Sequence, residues 1–137
     1  MRRTTFVWVL VFVLFAIAGC GSDAKLGEII VTDAVTSIGE ATQECTTFTA
    51  GDSVYVSLEL TDAYEGLKVH ATWLFNDQTM HEEELSAPRR AEVLDPVFLA
   101  FTLHTEPDWP AGTYQCKLFV PDQGNTIVEF TLQESKE

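Results

Sequence analysis

Positive charge is scarce in this chain. Eight Lys and Arg stand against 21 Asp and Glu in 137 residues, a formal net charge of −13. So acidic a chain is a poor partner for DNA or RNA, whose phosphates select Lys and Arg. Charge alone will not draw it to anionic lipid either. The three histidines (His70, His81, His104) and three cysteines fall into no His-x-x-x-His or Cys-x-x-Cys spacing, so no zinc site is expected. Calcium finds no Asp-x-Asp-x-Asp-Gly run. The acidic turns Asp62 to Gly66 and Asp77-Gln78 read as solvated loops. There is no Gly-x-Gly-x-x-Gly to cradle phosphate and no Gly-x-Ser-x-Gly nucleophile turn. No two carboxylates are placed across a cleft. No catalytic residue, metal or cofactor is therefore expected, and the chain does not read as an enzyme. Disorder is excluded as well, because 46% of residues are hydrophobic and 21% charged.

One apolar run is present, and it is short. Arg2 and Arg3 precede the uncharged stretch Phe6 to Ala18, 13 residues long. A spanning helix needs about 20 apolar residues, whereas a signal peptide core needs about 7–15. The run ends at Ile17-Ala18-Gly19-Cys20. An aliphatic residue and two small residues directly before Cys resemble a bacterial lipobox. The resemblance covers residues 1–20 and implies a signal helix removed after Gly19. It further implies diacylation of the Cys20 thiol, as with palmitate, followed by N-acylation. Two or more acyl chains anchor stably where one does not. With no Asp after Cys20, the same resemblance favours the outer membrane in a two-membrane cell. The mature chain would be 118 residues carrying 6 basic and 21 acidic side chains, a net charge of −15. Residues 20–27 read as the lipidated Cys and a tether, and 28–137 as one domain.

From residue 28 onward the apolar period is two. Strands are expected around Ile29 to Val31, Val54 to Leu60, Lys68 to Phe75, Val97 to His104, Tyr114 to Val120 and Ile127 to Leu132. Turns fall at Gly51-Asp52, Glu65-Gly66, Asn76-Asp77, Pro88, Asp95-Pro96, Pro107 to Gly112 and Pro121 to Asn125. One apolar face per strand builds two sheets packed face to face. A final hairpin centred on Gln123 would pair Lys117 with Glu129, Gln115 with Thr131, Leu118 with Val128 and Cys116 with Phe130.

Trp73 lies mid-strand, and Tyr114-x-Cys116 opens a later strand after Trp109-Pro110-Ala111-Gly112. Together these resemble an immunoglobulin-like antiparallel β-sandwich of about seven strands, with a core Trp on strand C and a tyrosine corner before strand F. The resemblance spans residues 48–132. It departs at the disulfide, because no Cys occupies strand B near Val56 or Leu58. With Cys20 taken by lipid, Cys45 and Cys116 remain as a pair in an exported chain, and a Cys45–Cys116 disulfide is expected. Two separate buried thiols are the alternative.

The remaining features concern surfaces. Glu82-Glu83-Glu84 reads as a solvated edge strand or, more sharply, as an acidic contact strip. His70 and His104 should lie in opposite sheets, facing away from each other. Tyr55, Leu74, Phe98, Phe119 and Ile127 fall on the outward phase. Phe119, Ile127 and Tyr55 are the binding candidates. Phe119 and Ile127 form either an exposed contact patch or a secondary core covered by segment 33–47. The functional expectation is a non-enzymatic, membrane-anchored extracytoplasmic lipoprotein contacting another envelope protein, a glycan or a ligand. The alternative is a periplasmic enzyme inhibitor or ligand carrier acting through its loops.

Overall fold

The computed structural model describes residues 24–88, 96–121 and 123–135. The segment expected to be a signal helix and the expected acylation site Cys20 lie outside them. Eight strands form: β1 (Lys25–Thr32), β2 (Thr47–Thr49), β3 (Ser53–Thr61), β4 (Lys68–Phe75), β5 (Gln78–Ser86), β6 (Val97–His104), β7 (Gly112–Val120) and β8 (Gly124–Gln133). They make a three-stranded sheet in the order β1-β3-β6 and a five-stranded sheet in the order β2-β8-β7-β4-β5. In immunoglobulin lettering β3, β4, β6 and β7 stand as strands B, C, E and F. The fold is an immunoglobulin-like sandwich.

The alternation decides which side chains meet between the sheets. Val54, Val56, Leu58 and Leu60 of β3 and Phe101 of β6 are fully buried. Across from them lie Val69 and Trp73 of β4, Cys116 of β7 and Leu132 of β8, also fully buried. Trp73 meets Phe130 edge-on at 6.1 Å. Its indole N–H is buried without a hydrogen-bond partner. That costs about 1–3 kcal/mol. Burying about 200 Å² of ring returns about 5 kcal/mol, so Trp73 is a net stabiliser.

The expected tyrosine corner is present. Tyr114 is buried and its hydroxyl donates to the Pro110 carbonyl at 2.8 Å. Its ring stacks on Phe75 at 4.3 Å, Phe130 at 5.5 Å and Trp109 at 6.0 Å. The β4–β5 turn has Asn76 and Asp77 at φ 53° and 64°. Asn and Asp tolerate this left-handed region, and a two-residue hairpin requires it.

The expected sandwich of about seven strands is present and has eight among the described residues, because β2 adds to the sheet edge in parallel with β8. Three expectations are corrected. The folded domain begins before residue 28: Lys25 and Leu26 already pair with Thr61 and Leu60, and Ala24 is buried. The last hairpin keeps its faces but moves by two residues, pairing Lys117 with Ile127, Gln115 with Glu129, Cys116 with Val128 and Leu118 with Thr126. The cause is the turn, where Val120 pairs with Gly124, Gln123 donates back to Val120, and Gly124 takes a φ of 82°. A shift of two preserves side-chain phase, so the inward set stays inward.

The third correction is the disulfide. Cys45 and Cys116 are free thiols. Cys45 N–H donates to Val31 on β1, and its Sγ lies 3.4 Å from the Thr47 carbonyl. It leads into β2, whereas Cys116 sits on β7 with β8 between them. Two strand spacings come to about 9.5 Å. A disulfide tolerates a Cα separation of only about 4.4–6.8 Å.

Replacing Tyr114 by Phe removes the corner hydrogen bond and keeps the ring stack. A loss of about 1 kcal/mol in urea unfolding, with an unchanged m-value, is expected. No loss would mean that the ring alone holds the corner.

Candidate functional site

Two faces and two ends are available on a sandwich of this kind. The outer face of the three-stranded sheet is roofed by residues 33–46. Val35 bridges to Ala41, and Ser57 Oγ donates to the Gly39 carbonyl at 2.7 Å. Segment 33–47 therefore covers this face and leaves the Phe119–Ile127 face open. Beneath the roof is a recess of about 100 Å³ lined by Glu28, Ile30, Glu40, Ala41, Ser57, Glu59 and Phe98. Glu59 Oε1 accepts from the Glu28 N–H at 3.1 Å, so one carboxylate is already engaged with backbone. Ligand pockets for drug-sized molecules run to about 300–1,000 Å³, whereas a water occupies about 30 Å³. The recess has room for a few waters. Period-two phase in β3 and β6 put Ser57, Glu59 and Phe98 outward, but nothing in the sequence linked them to Glu28 and Glu40.

The outer face of the five-stranded sheet carries the expected apolar pair. Phe119 is 45% and Ile127 51% exposed. Phe119 stands opposite Asn125 and Ile127 opposite Lys117, so the two are diagonal neighbours across β7 and β8. His70 pairs with Phe119 from the other side and with Glu84 at 3.3 Å. Tyr55, the third candidate, is half-buried on β3 in the other sheet. It joins no site with Phe119 and Ile127.

Glu82 to Glu84 lie on β5, an edge strand of the five-stranded sheet. Glu83 behaves unlike its neighbours. It is opposite Ala71, an inward residue, and its Oε1 accepts from the Thr102 N–H of β6 at 3.1 Å. An inward carboxylate thus closes the seam between β5 and β6, a device that blocks further strand addition.

His70 on β4 and His104 on β6 lie in opposite sheets. His104 Nδ1 is 2.9 Å from Ser53 Oγ. Among the described residues no group of three or more His, Cys, Asp or Glu is arranged to hold a metal ion. At the end of the sandwich opposite Ala24, an open groove of about 400 Å³ runs along Pro107 to Ala111, Glu134 and Ser135, with Trp109 in its wall.

Burial pushes the Cys116 thiol from 9.0 up to about 12, and the Glu83 carboxylate adds to the shift. The thiol is held protonated and away from reagents, which makes it a core side chain and a poor nucleophile. Burial also raises the Tyr114 phenol.

No family model matches the chain, and no curated protein matches it in sequence. Solved structures do match in fold. An immunoglobulin-like protein from Pseudomonas aeruginosa aligns with a TM-score of 0.55 at 16% identity, over 84% of this chain and 100% of that one. The C-terminal domain of Wzt aligns with a TM-score of 0.50 at 13% identity, over 83% of this chain and 74% of that one. A β-glucosidase from Listeria innocua in complex with glucose aligns with a TM-score of 0.50 at 7% identity, over 82% of this chain. This chain spans 16% of that enzyme's length. At such identities the likeness is one of fold alone.

Two measurements follow from the buried thiol. A thiol reagent added to the folded chain should modify Cys45 quickly and Cys116 only after denaturation. A chain that shows neither thiol even when unfolded would instead be bridged. The pH dependence has a definite sign. The unfolded thiol ionises near 9.0 and the folded one near 12, so the unfolded state sheds the proton first. The Cys116 contribution to stability is complete below pH 9 and is lost as pH rises toward 12. Cys116→Ala should flatten part of that alkaline decline, leaving the part due to Tyr114. An unchanged slope would contradict the assignment.

Proposed function

We propose that the protein is a lipid-anchored, extracytoplasmic module without enzymatic activity, whose sandwich contacts another component of the cell envelope, a protein or a glycan. The observation that carries this reading is the junction between anchor and domain. The lipobox-like Ile17-Ala18-Gly19-Cys20 follows a 13-residue apolar run. After three intervening residues the chain enters the fold at Ala24, which is buried and whose carbonyl accepts from Gln123 Nε2 at 3.0 Å. A signal segment, an acylation site and a folded domain follow one another with almost no chain between them.

The all-β fold supports a binding or structural role by its economy. Its buried residues build a core, and its one perturbed thiol is inaccessible. The groove beside Trp109 lies at the end opposite Ala24, and a half-buried aromatic held against Tyr114 in the wall of a groove suits contact with a partner or a sugar ring. The reading as an inhibitor or ligand carrier draws less support, because the enclosed recess near Glu59 holds only about 100 Å³.

Fractionation of cells expressing the full chain tests the anchor. The wild type should sediment with membranes and yield an N-terminal Cys20 peptide carrying the mass of acyl chains. Cys20→Ser should accumulate as the uncleaved precursor. A soluble, unacylated wild type, or a Cys20→Ser variant processed normally, would defeat the proposal.

A further inference from the structure

The described residues distribute two kinds of side chain unevenly along the sandwich. The strand ends Lys25, Thr61, Lys68, Ser86, Val97, Val120 and Gly124 mark one end, the end at which Ala24 enters. Among the described residues four large hydrophobic side chains are exposed, and three of them belong to this end. Phe119 is next to last in β7, Ile127 lies three residues beyond the β7–β8 turn, and Tyr64, 46% exposed, lies in the β3–β4 loop. All the lysines and arginines among the described residues are in this half as well: Lys25 and Lys68 at strand starts, and Lys117 beside Ile127. Acidic side chains are spread over both halves. Asp62, 4.0 Å from Lys25, and Glu65 share this end, and Glu84 is engaged with His70.

Chain length adds a constraint. Between Cys20 and Ala24 lie only Gly21, Ser22 and Asp23. Fully extended, four steps reach at most about 14 Å. Gln123 clamps the Ala24 carbonyl beside the β7–β8 turn, so the chain leaves the domain at the end that carries this turn, the end toward which Phe119 and Ile127 lie on the outer face of the five-stranded sheet.

We infer that this end is a membrane-docking surface, with Phe119 and Ile127 entering the headgroup region of the bilayer and Lys68 and Lys117 meeting lipid phosphates. The inference rests on the lipid anchor proposed for Cys20 and adds an orientation to it. Aromatic and aliphatic side chains flanked by Lys117 and Lys68 on the same face suit the interface, where an apolar body and a polar tip are both satisfied. The net charge of the whole domain opposes adsorption to anionic lipid. The acyl anchor overcomes this by holding the domain in place, and the local lysines decide which end turns toward the phosphates. The Trp109 groove is then left facing away from the membrane.

The test uses the full chain, processed in cells, purified, and reconstituted in phosphatidylethanolamine–phosphatidylglycerol vesicles with or without brominated acyl chains. Phe119→Trp is compared with Thr113→Trp, which lies on the same outer face toward the opposite end of β7, each read as a difference from the parent. The probe at position 119 should be quenched severalfold more by brominated lipid than the probe at 113, and be shielded from iodide. Equal iodide access at 119 and 113, in a chain that is acylated and floats with vesicles, overturns the docking surface while the anchor stands. Shielding from iodide at 119 without quenching by brominated lipid assigns the patch to a second copy or to the chain itself, which also overturns it. A chain without acyl mass removes the anchor and the inference together.

Discussion

The sandwich depends on Tyr114. β6 belongs to one sheet and β7 to the other, so the chain must cross between them through residues 105–111. Tyr114 fixes that crossing from its far side, with its hydroxyl on the Pro110 carbonyl and its ring among Phe75, Trp109 and Phe130. The near side is pinned by Thr105, whose Oγ1 donates to the Asp52 carbonyl at 2.6 Å and accepts from Gly51 N–H at 2.8 Å. With both sides held, β7 has one register against β4, and Cys116 stands opposite Trp73. The inter-sheet core then has one way to close.

Immunoglobulin-like domains that carry a strand B–F disulfide have a covalent link in the middle of this core. Here the corresponding layer is filled by Val56, Leu58, Cys116 and Trp73 without a covalent bond. Apolar area and the tyrosine corner do the holding. The open seam at β5 and β6 is closed by Glu83 reaching the Thr102 amide. A charge turned inward in this way is tolerated because it accepts a hydrogen bond at the rim of the core.

The two ends of such a scaffold are not equivalent once the entry point of the chain is known. Ala24 is clamped at the end that carries the β3–β4 loop and the β7–β8 turn. The crossing that Tyr114 holds is at the other end, and it forms the groove beside Trp109. The element that keeps the sheets in register thus also shapes the surface furthest from the proposed anchor.

Much of this was legible in the residues. Period two in β3, β4, β6, β7 and β8 assigned their inward faces, because an alternating strand can bury only one side. Trp73 and the Trp-Pro-Ala-Gly-Thr-Tyr turn pointed to the architecture, since a corner tyrosine needs a carbonyl only a few residues upstream. The outward phase of Phe119 and Ile127 was readable as well. What tertiary structure alone decided were the relations between segments distant in sequence. It put β8 between Cys45 and Cys116, which a count of cysteines could not reveal. It laid residues 33–46 over Ser57 and left Phe119 open, because that stretch has no period to choose a sheet. It brought Lys25 into the sandwich, since Lys25 becomes a strand residue only when Thr61 is there to pair with it.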